Sequence, residues 1–513
     1  MRYLSELSGL VGTLLAAVLV AGPVLAAGDA ELVDAVKNQD REKMLNLVMA
    51  KTNLNTRADD GSTALLWAAH WNDLESAALI IRAGADPEIA NDLKMTPLSE
   101  ACLNGSPEMV ALLLNAGANA NTAIASGETP LMTCAKSGNV AGVEMLIAHD
   151  AAVNAKEPTQ NQTALMWAAA ERHPDAVQSL LKARADVKAH TKQGFTALHF
   201  AAREGDAESA KLLVAAGANI NSKTEPDALR TRNSGVQAVN RGAGRKSSAT
   251  DGYTPLLVAT VRGQVQMALS LLEQGADPNI MEGGFTPLHW AAGSWENGTA
   301  NPIYGFEDPM AGITDRAGKL QLIQALLAHG AKPNLRMTRA QPTFAGGYSD
   351  APGATPMLLA AGAADLEVMK ILLAAGADPK ISTETNATPI MAATALNRLV
   401  GDSPVTEAQA TAAVKFLVAA GADPKGATTF GENALYGPSY RGWNGLLEEL
   451  INMGVDVNAV SKAGVTPWLA ASGQGDRLGG VLFNKAGADI LQKRGADPKL
   501  GHPCQAQNKC RAE

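Results

Sequence analysis

Short apolar segments of helical period recur in pairs along this chain. Thr196-Ala-Leu-His-Phe-Ala-Ala202 is followed by Ala210-Lys-Leu-Leu-Val-Ala215, and the same two-part pattern returns many times. Leu, Val, Ile and Ala recurring every three to four residues predict short amphipathic helices, punctuated by Gly, Asn and Asp. The first residues differ. Leu7 to Ala21 is apolar apart from Ser8 and Thr13, and Pro23 then precedes Val24-Leu25-Ala26. Small residues at the −3 and −1 places predict a signal peptide over 1–26 and a mature chain starting at Ala27. The mature chain is therefore expected to be exported, periplasmic or secreted, with no membrane insertion after cleavage.

The pairs keep a register. A Thr-Pro/Ala-apolar triplet begins at Thr63, Thr96, Thr129, Thr163, Thr196, Thr254, Thr286, Thr355, Thr388 and Thr466, with Asn433 as a variant. Most neighbouring sites lie about 33 residues apart, the length of one supersecondary unit. A second signal, Gly-Ala-Asp/Asn and its variants, recurs at Gly84, Gly117, Gly217, Gly275, Gly330, Gly376, Gly421 and Gly487. Degenerate forms stand at Asp150, Arg184 and Gly454. The Thr hydroxyl is expected to cap a first helix, with Pro suited to its first turn. The glycine is expected to end the second helix in the left-handed conformation.

Thr286-Pro-Leu-His-Trp-Ala-Ala292, Thr196-Ala-Leu-His-Phe-Ala-Ala202 and Thr63-Ala-Leu-Leu-Trp-Ala-Ala69 carry a T-P-L-H-x-A signature, and the chain resembles the ankyrin-repeat family, specifically exported bacterial members of it. The resemblance implies an all-α solenoid of about eleven helix-turn-helix units with hairpin-like fingers and terminal caps. In that frame residues 27–59 form an N-terminal cap repeat and 60–225 form repeats 1–5. A basic finger-side insertion occupies 226–251. Repeats 6–11 fill 252–490, with insertions near 295–317, 338–353 and 399–410, and 491–513 form a C-terminal cap and tail. His199 and His289, at the signature position, are implied to steady neighbouring fingers by hydrogen bonds.

Composition narrows the function. Hydrophobic residues make up 46% of the chain but aromatics only 4%, so the core must be built largely from Ala, Leu, Val and Ile. The net charge of −8 offers no field for nucleic acid. No metal-ligand pair, nucleophile elbow, phosphate loop or haem attachment site is present, so no cofactor, no metal and no catalysis are expected. Gly242-Ala-Gly-Arg-Lys-Ser-Ser248 lacks phosphate-loop spacing and reads as a basic insertion, with Arg230, Arg232, Arg241, Arg245 and Lys246 in the same stretch. Cys102 and Cys134 are expected to be buried, reduced packing groups. Cys504 and Cys510 are expected to form a disulfide in the tail.

The resemblance implies a monomeric, non-catalytic protein-binding scaffold of the cell envelope that uses its concave groove and finger tips. The residue before the signature Thr lies on a finger and is aromatic in three successive repeats, at Phe195, Tyr253 and Phe285. With Arg203, Arg262, Trp290 and Trp295 on nearby first helices, these are the expected partner contacts, because aromatic and Arg side chains dominate interface energetics. Two other readings stand beside this one. The 295–353 insertions could build a ligand pocket, or the chain could be a secreted effector that binds host proteins.

Overall fold

The computed structural model describes residues 30–225, 252–293, 315–339, 352–396, 405–474 and 483–502. All regular structure among these residues is helical, apart from an isolated antiparallel bridge between Ala427 and Asn433. The chain divides into two compact units between Ala125 and Ser126. Among the described residues the first unit holds three helix pairs: Glu31–Lys37 with Arg41–Met49, Ala64–His70 with Leu74–Arg82, and Pro97–Leu103 with Pro107–Asn115. The second holds nine, from Pro130–Ser137 with Val140–Ala148 through to Pro467–Ala471 with Lys485–Lys493. Numbered from Thr63, the pairs after the N-terminal one are repeats 1 to 11. The signal segment 1–26, the basic insertion 226–251, Trp295, Cys504 and Cys510 lie outside the described residues.

Each repeat closes on itself through its caps. Thr63, Thr96, Thr129, Thr163, Thr254, Thr286, Thr355, Thr388 and Thr466 each accept the backbone N–H three residues on, as expected of an N-cap. Asn433 does not cap in this way; its Oδ1 accepts the Leu435 N–H and its Nδ2 donates to the Asp456 carbonyl. The glycines after the second helices have positive φ, for example +103° at Gly84 and +94° at Gly117. Asp150 and Arg184 take the same conformation at +60° and +62°.

Stacking then buries what no single pair can. In each unit, first helices pack on first helices and second helices on second helices. The paired alanines of the first helices, such as Ala168-Ala169 and Ala291-Ala292, are fully buried and let backbones approach. At least one aliphatic side chain per second helix of repeats 1 to 11 is also fully buried, at Ile80, Leu113, Leu146, Leu180, Leu213, Leu271, Leu326, Leu372, Leu417, Leu450 and Leu491. Each contributes about 1.5–3 kcal/mol by leaving water.

Asparagines tie the repeats together on the side where the second helices end. Asn279 Oδ1 accepts the Lys332 N–H (2.8 Å) while its Nδ2 donates to the Gly330 carbonyl (2.9 Å). Asn334 repeats this pair of bonds with Asp378 and Gly376, and Asn458 with Asp497 and Gly495. Asn279→Ala removes both bonds at an exposed site. We expect it to lower unfolding stability by about 1 kcal/mol, read from the denaturation midpoint.

The structure corrects three details expected from the sequence. Gly487 does not end a second helix; it lies in the first turn of Lys485–Lys493, where its N–H is accepted by Asn484, and Gly495 at φ +97° is the terminating residue. Second helices are nine residues long except in repeats 7 and 9, where Arg316–Ala328 and Glu407–Ala419 have thirteen. The ends of the segments assigned to insertion, 295–317 and 399–410, are therefore helical, and each adds one turn. Finally, Cys102 and Cys134 are fully buried as expected, but both are disulfide-bonded rather than reduced.

The longer helix of repeat 7 carries a buried cation. Lys319 is 2% exposed, and its ammonium donates to the Gly293 carbonyl (2.8 Å) just past the short helix Pro287–Ala292. It also lies 3.5 Å from Asp365, the N-cap of the second helix of repeat 8, which Arg316 grips as well. Burial pushes the Asp365 carboxyl upward, but Arg316, the Val368 N–H and Lys319 together hold it below the usual range.

Candidate functional site

In repeats 1 to 5 the eighth signature position is at least partly exposed, and the fifth is so in repeats 1, 2 and 4. In the second unit the Lys136 ammonium lies over the Trp167 ring at 4.4 Å, and the Arg203 guanidinium over Phe200 at 5.0 Å. Arg203 also donates to Glu204 (2.6 Å). Phe195, Trp167, Arg203 and Arg262 are half-buried, whereas Phe200 is buried. Lys136 and Arg203 hold the eighth signature position of repeats 3 and 5, Trp167 and Phe200 the fifth of repeats 4 and 5, while Arg262 follows the first helix of repeat 6 and Phe195 precedes that of repeat 5.

The expected aromatic contacts divide here. Phe195 keeps part of its ring in solvent and packs against Phe200 (5.9 Å between centroids) and His199 (5.5 Å). Tyr253, Phe285 and Trp290 do not reach the surface. They are 2%, 1% and 2% exposed, so their expected role as partner contacts is corrected to packing. Phe285 meets Tyr253 edge-on (5.7 Å, 82°) and stacks on Trp290 (5.8 Å, 23°). Gly283 makes room for this cluster, since a Cβ there would come 3.1 Å from the Tyr253 ring. The aromatic run in the sequence is thus a seam between fingers.

His199 and His289 complete that seam. Each is fully buried and closes a capping box: Nδ1 accepts the N–H of Thr196 or Thr286 (both 3.2 Å). The opposite nitrogen donates to the following finger, His199 to the Tyr253 carbonyl (3.1 Å) and His289 to the Leu335 carbonyl (2.9 Å). The hydrogen bonds implied for these residues are therefore present. Burial pushes both imidazoles down to about 4, more strongly than the carbonyl bonds push them up.

Sequence reasoning passed over a second surface cluster, in the first unit. Lys37 lies 5.0 Å over Trp67, Trp67 stacks on Trp71 at 6.2 Å, and His70 contacts both rings edge-on. Trp71 donates its indole N–H to the Lys37 carbonyl (3.1 Å) yet remains 45% exposed, and Leu103 is 54% exposed. The legible signal was the pair of tryptophans four residues apart, which share one helix face.

No group of three or more potential metal ligands occurs among the described residues, and no described helix is long and apolar enough to cross a membrane. Comparison with known proteins bears on the identity of the repeat. A model of ankyrin repeats in three copies matches residues 32–124, 65–157, 116–191 and 154–224, and a single-repeat model matches 251–282 and 353–384. No curated protein matches the chain. Among solved structures, the human ASB11 ankyrin repeat domain is 23% identical, with a TM-score of 0.39; the match covers 48% of this chain and 98% of that one. With its capped helix pairs, terminating glycines and matched repeats, the chain belongs to the ankyrin-repeat family.

Proposed function

We propose that the protein is a non-catalytic scaffold of the cell envelope that holds a protein partner on the first-helix face of repeats 3 to 6. Ankyrin repeats mediate protein–protein interaction, and the N-terminal apolar segment ending at Val24-Leu25-Ala26 supports export. One observation carries the choice of face. Lys136 and Arg203 lie over aromatic rings there, with Phe195 and Arg262 partly in solvent alongside. A cation already resting on a ring presents a broad, pre-ordered contact, which lowers the ordering cost of binding. The Arg residues suit carboxylates on the partner.

Charge reversal tests this reading. The partner is captured from periplasm on the mature chain, and its affinity is then measured for Arg203→Glu and Arg262→Glu. Each is expected to lose about 1–3 kcal/mol of binding with an unchanged melting temperature. Lys211→Glu, on the second helix of repeat 5, should bind normally. Equal binding by all three variants would place the partner on another face.

A further inference from the structure

Apart from repeat 7, whose turn between helices lies outside the described residues, each repeat from 1 to 11 bends through positive φ at three places: in the finger, in the turn between the two helices, and after the second helix. Repeat 5 fills them with Gly194, Gly205 and Gly217, and repeat 6 with Gly252, Gly263 and Gly275. Repeat 4 has no glycine at any of the three. Asn161, Arg172 and Arg184 stand there at φ +63°, +63° and +62°. Among the described residues no other repeat from 1 to 11 lacks glycine at all three. Asn enters this region at small cost, but an Arg with its Cβ is strained in it.

Other local terms point the same way. Most second helices begin with a side-chain cap, such as Asp206 in repeat 5 and Asn139 in repeat 3. The helix Pro174–Lys182 begins at His173, which makes no side-chain cap bond. The bond from Asn154 to the Arg184 carbonyl is long at 3.4 Å, against 2.9–3.0 Å for its equivalents at Asn279, Asn334 and Asn458. The finger itself is well held: Glu157 accepts the N–H groups of Thr159 (2.5 Å), Gln160 (2.6 Å) and Gln162 (3.0 Å). The deficit therefore lies in the helix pair of repeat 4 and in its two Arg turns.

We infer that repeat 4 is the opening point of the second unit, unfolding locally while repeats 5 and beyond stay stacked. Because each repeat contacts only its neighbours, a weak one opens without melting the rest. This conclusion stands on backbone conformation and capping, independently of where a partner binds.

Native-state hydrogen exchange read by mass spectrometry tests it on the full mature chain. Amides in the helices Ala164–Ala170 and Pro174–Lys182 are expected to exchange on the order of tenfold faster than those of Ala197–Glu204 and Ala207–Ala215. The double variant Arg172→Gly/Arg184→Gly should slow exchange in repeat 4 by on the order of tenfold or more, since each substitution relieves a left-handed Cβ. Arg172→Ala/Arg184→Ala removes the same charges but keeps the strain, and should give no such protection. Repeat 4 exchanging as slowly as repeat 5, or Gly and Ala variants behaving alike, would overturn the inference.

Discussion

Acidification from pH 7 to pH 5 is expected to remove about 4 kcal/mol of stability from the chain through two histidines. His199 and His289 are neutral in the fold, with values held down to about 4, and recover 6.5 when unfolded. Between those values the unfolded chain binds protons that the native state refuses. Their contribution is therefore complete above pH 6.5 and is lost as pH falls towards 4. At pH 5 the loss is about 2 kcal/mol for each, since every pH unit below 6.5 removes roughly 1.4 kcal/mol until the native imidazole itself takes a proton. Asp365 does not confuse the outcome: its carboxyl is held below 3.8, so its contribution fades only below that pH. Urea titrations of wild type and of His199→Gln/His289→Gln at the two pH values would show the effect. The double variant should lose most of the pH dependence, whatever its absolute stability at pH 7. An unchanged slope would mean that the imidazoles titrate freely.

The second large effect concerns the aromatic seam. Phe285→Ala is expected to destabilise the protein by about 3–5 kcal/mol, the range for truncating a fully buried aromatic side chain. The ring is 1% exposed and packs against both Tyr253 and Trp290, so its removal leaves a cavity that the neighbouring fingers cannot fill. Phe195→Ala, at a half-buried site in the same finger position, should cost markedly less. Calorimetric melting of the two variants decides between packing and binding as the role of the stripe. A Phe285→Ala protein that melts like wild type would return Phe285 to the contact residues.

Much of the fold was legible because its determinants are local. The capping Thr, the Pro at the first helical position and the glycine after the second helix each act within a few residues, so spacing alone locates them. The same logic misled at Gly487, where Gly-Ala-Asp falls by coincidence at the usual interval from Thr466. There the Asn484 cap makes the glycine a starting residue, and the true terminator comes later, at Gly495. The site was less legible, because exposure depends on neighbours distant in sequence. Aromatic type and finger position were read correctly at Phe195, Tyr253 and Phe285. Burial of the latter two follows from each other's rings and from Trp290, which no single-repeat pattern reveals. Lys319 shows the same limit: its partners Gly293 and Asp365 lie across an insertion and in the following repeat.

Site-specific photo-crosslinking along the second unit tests the central claim most directly. A photoreactive residue is placed singly at Phe195, Arg203 or Arg262 on the first-helix face, and at Lys182 or Lys211 on second helices. The expected result is one partner band from the first three positions and none from the other two, lost when Arg203→Glu is combined with the probe at 262. Crosslinks confined to Lys182 and Lys211 would contradict the account and place the binding surface on the opposite side of the repeats.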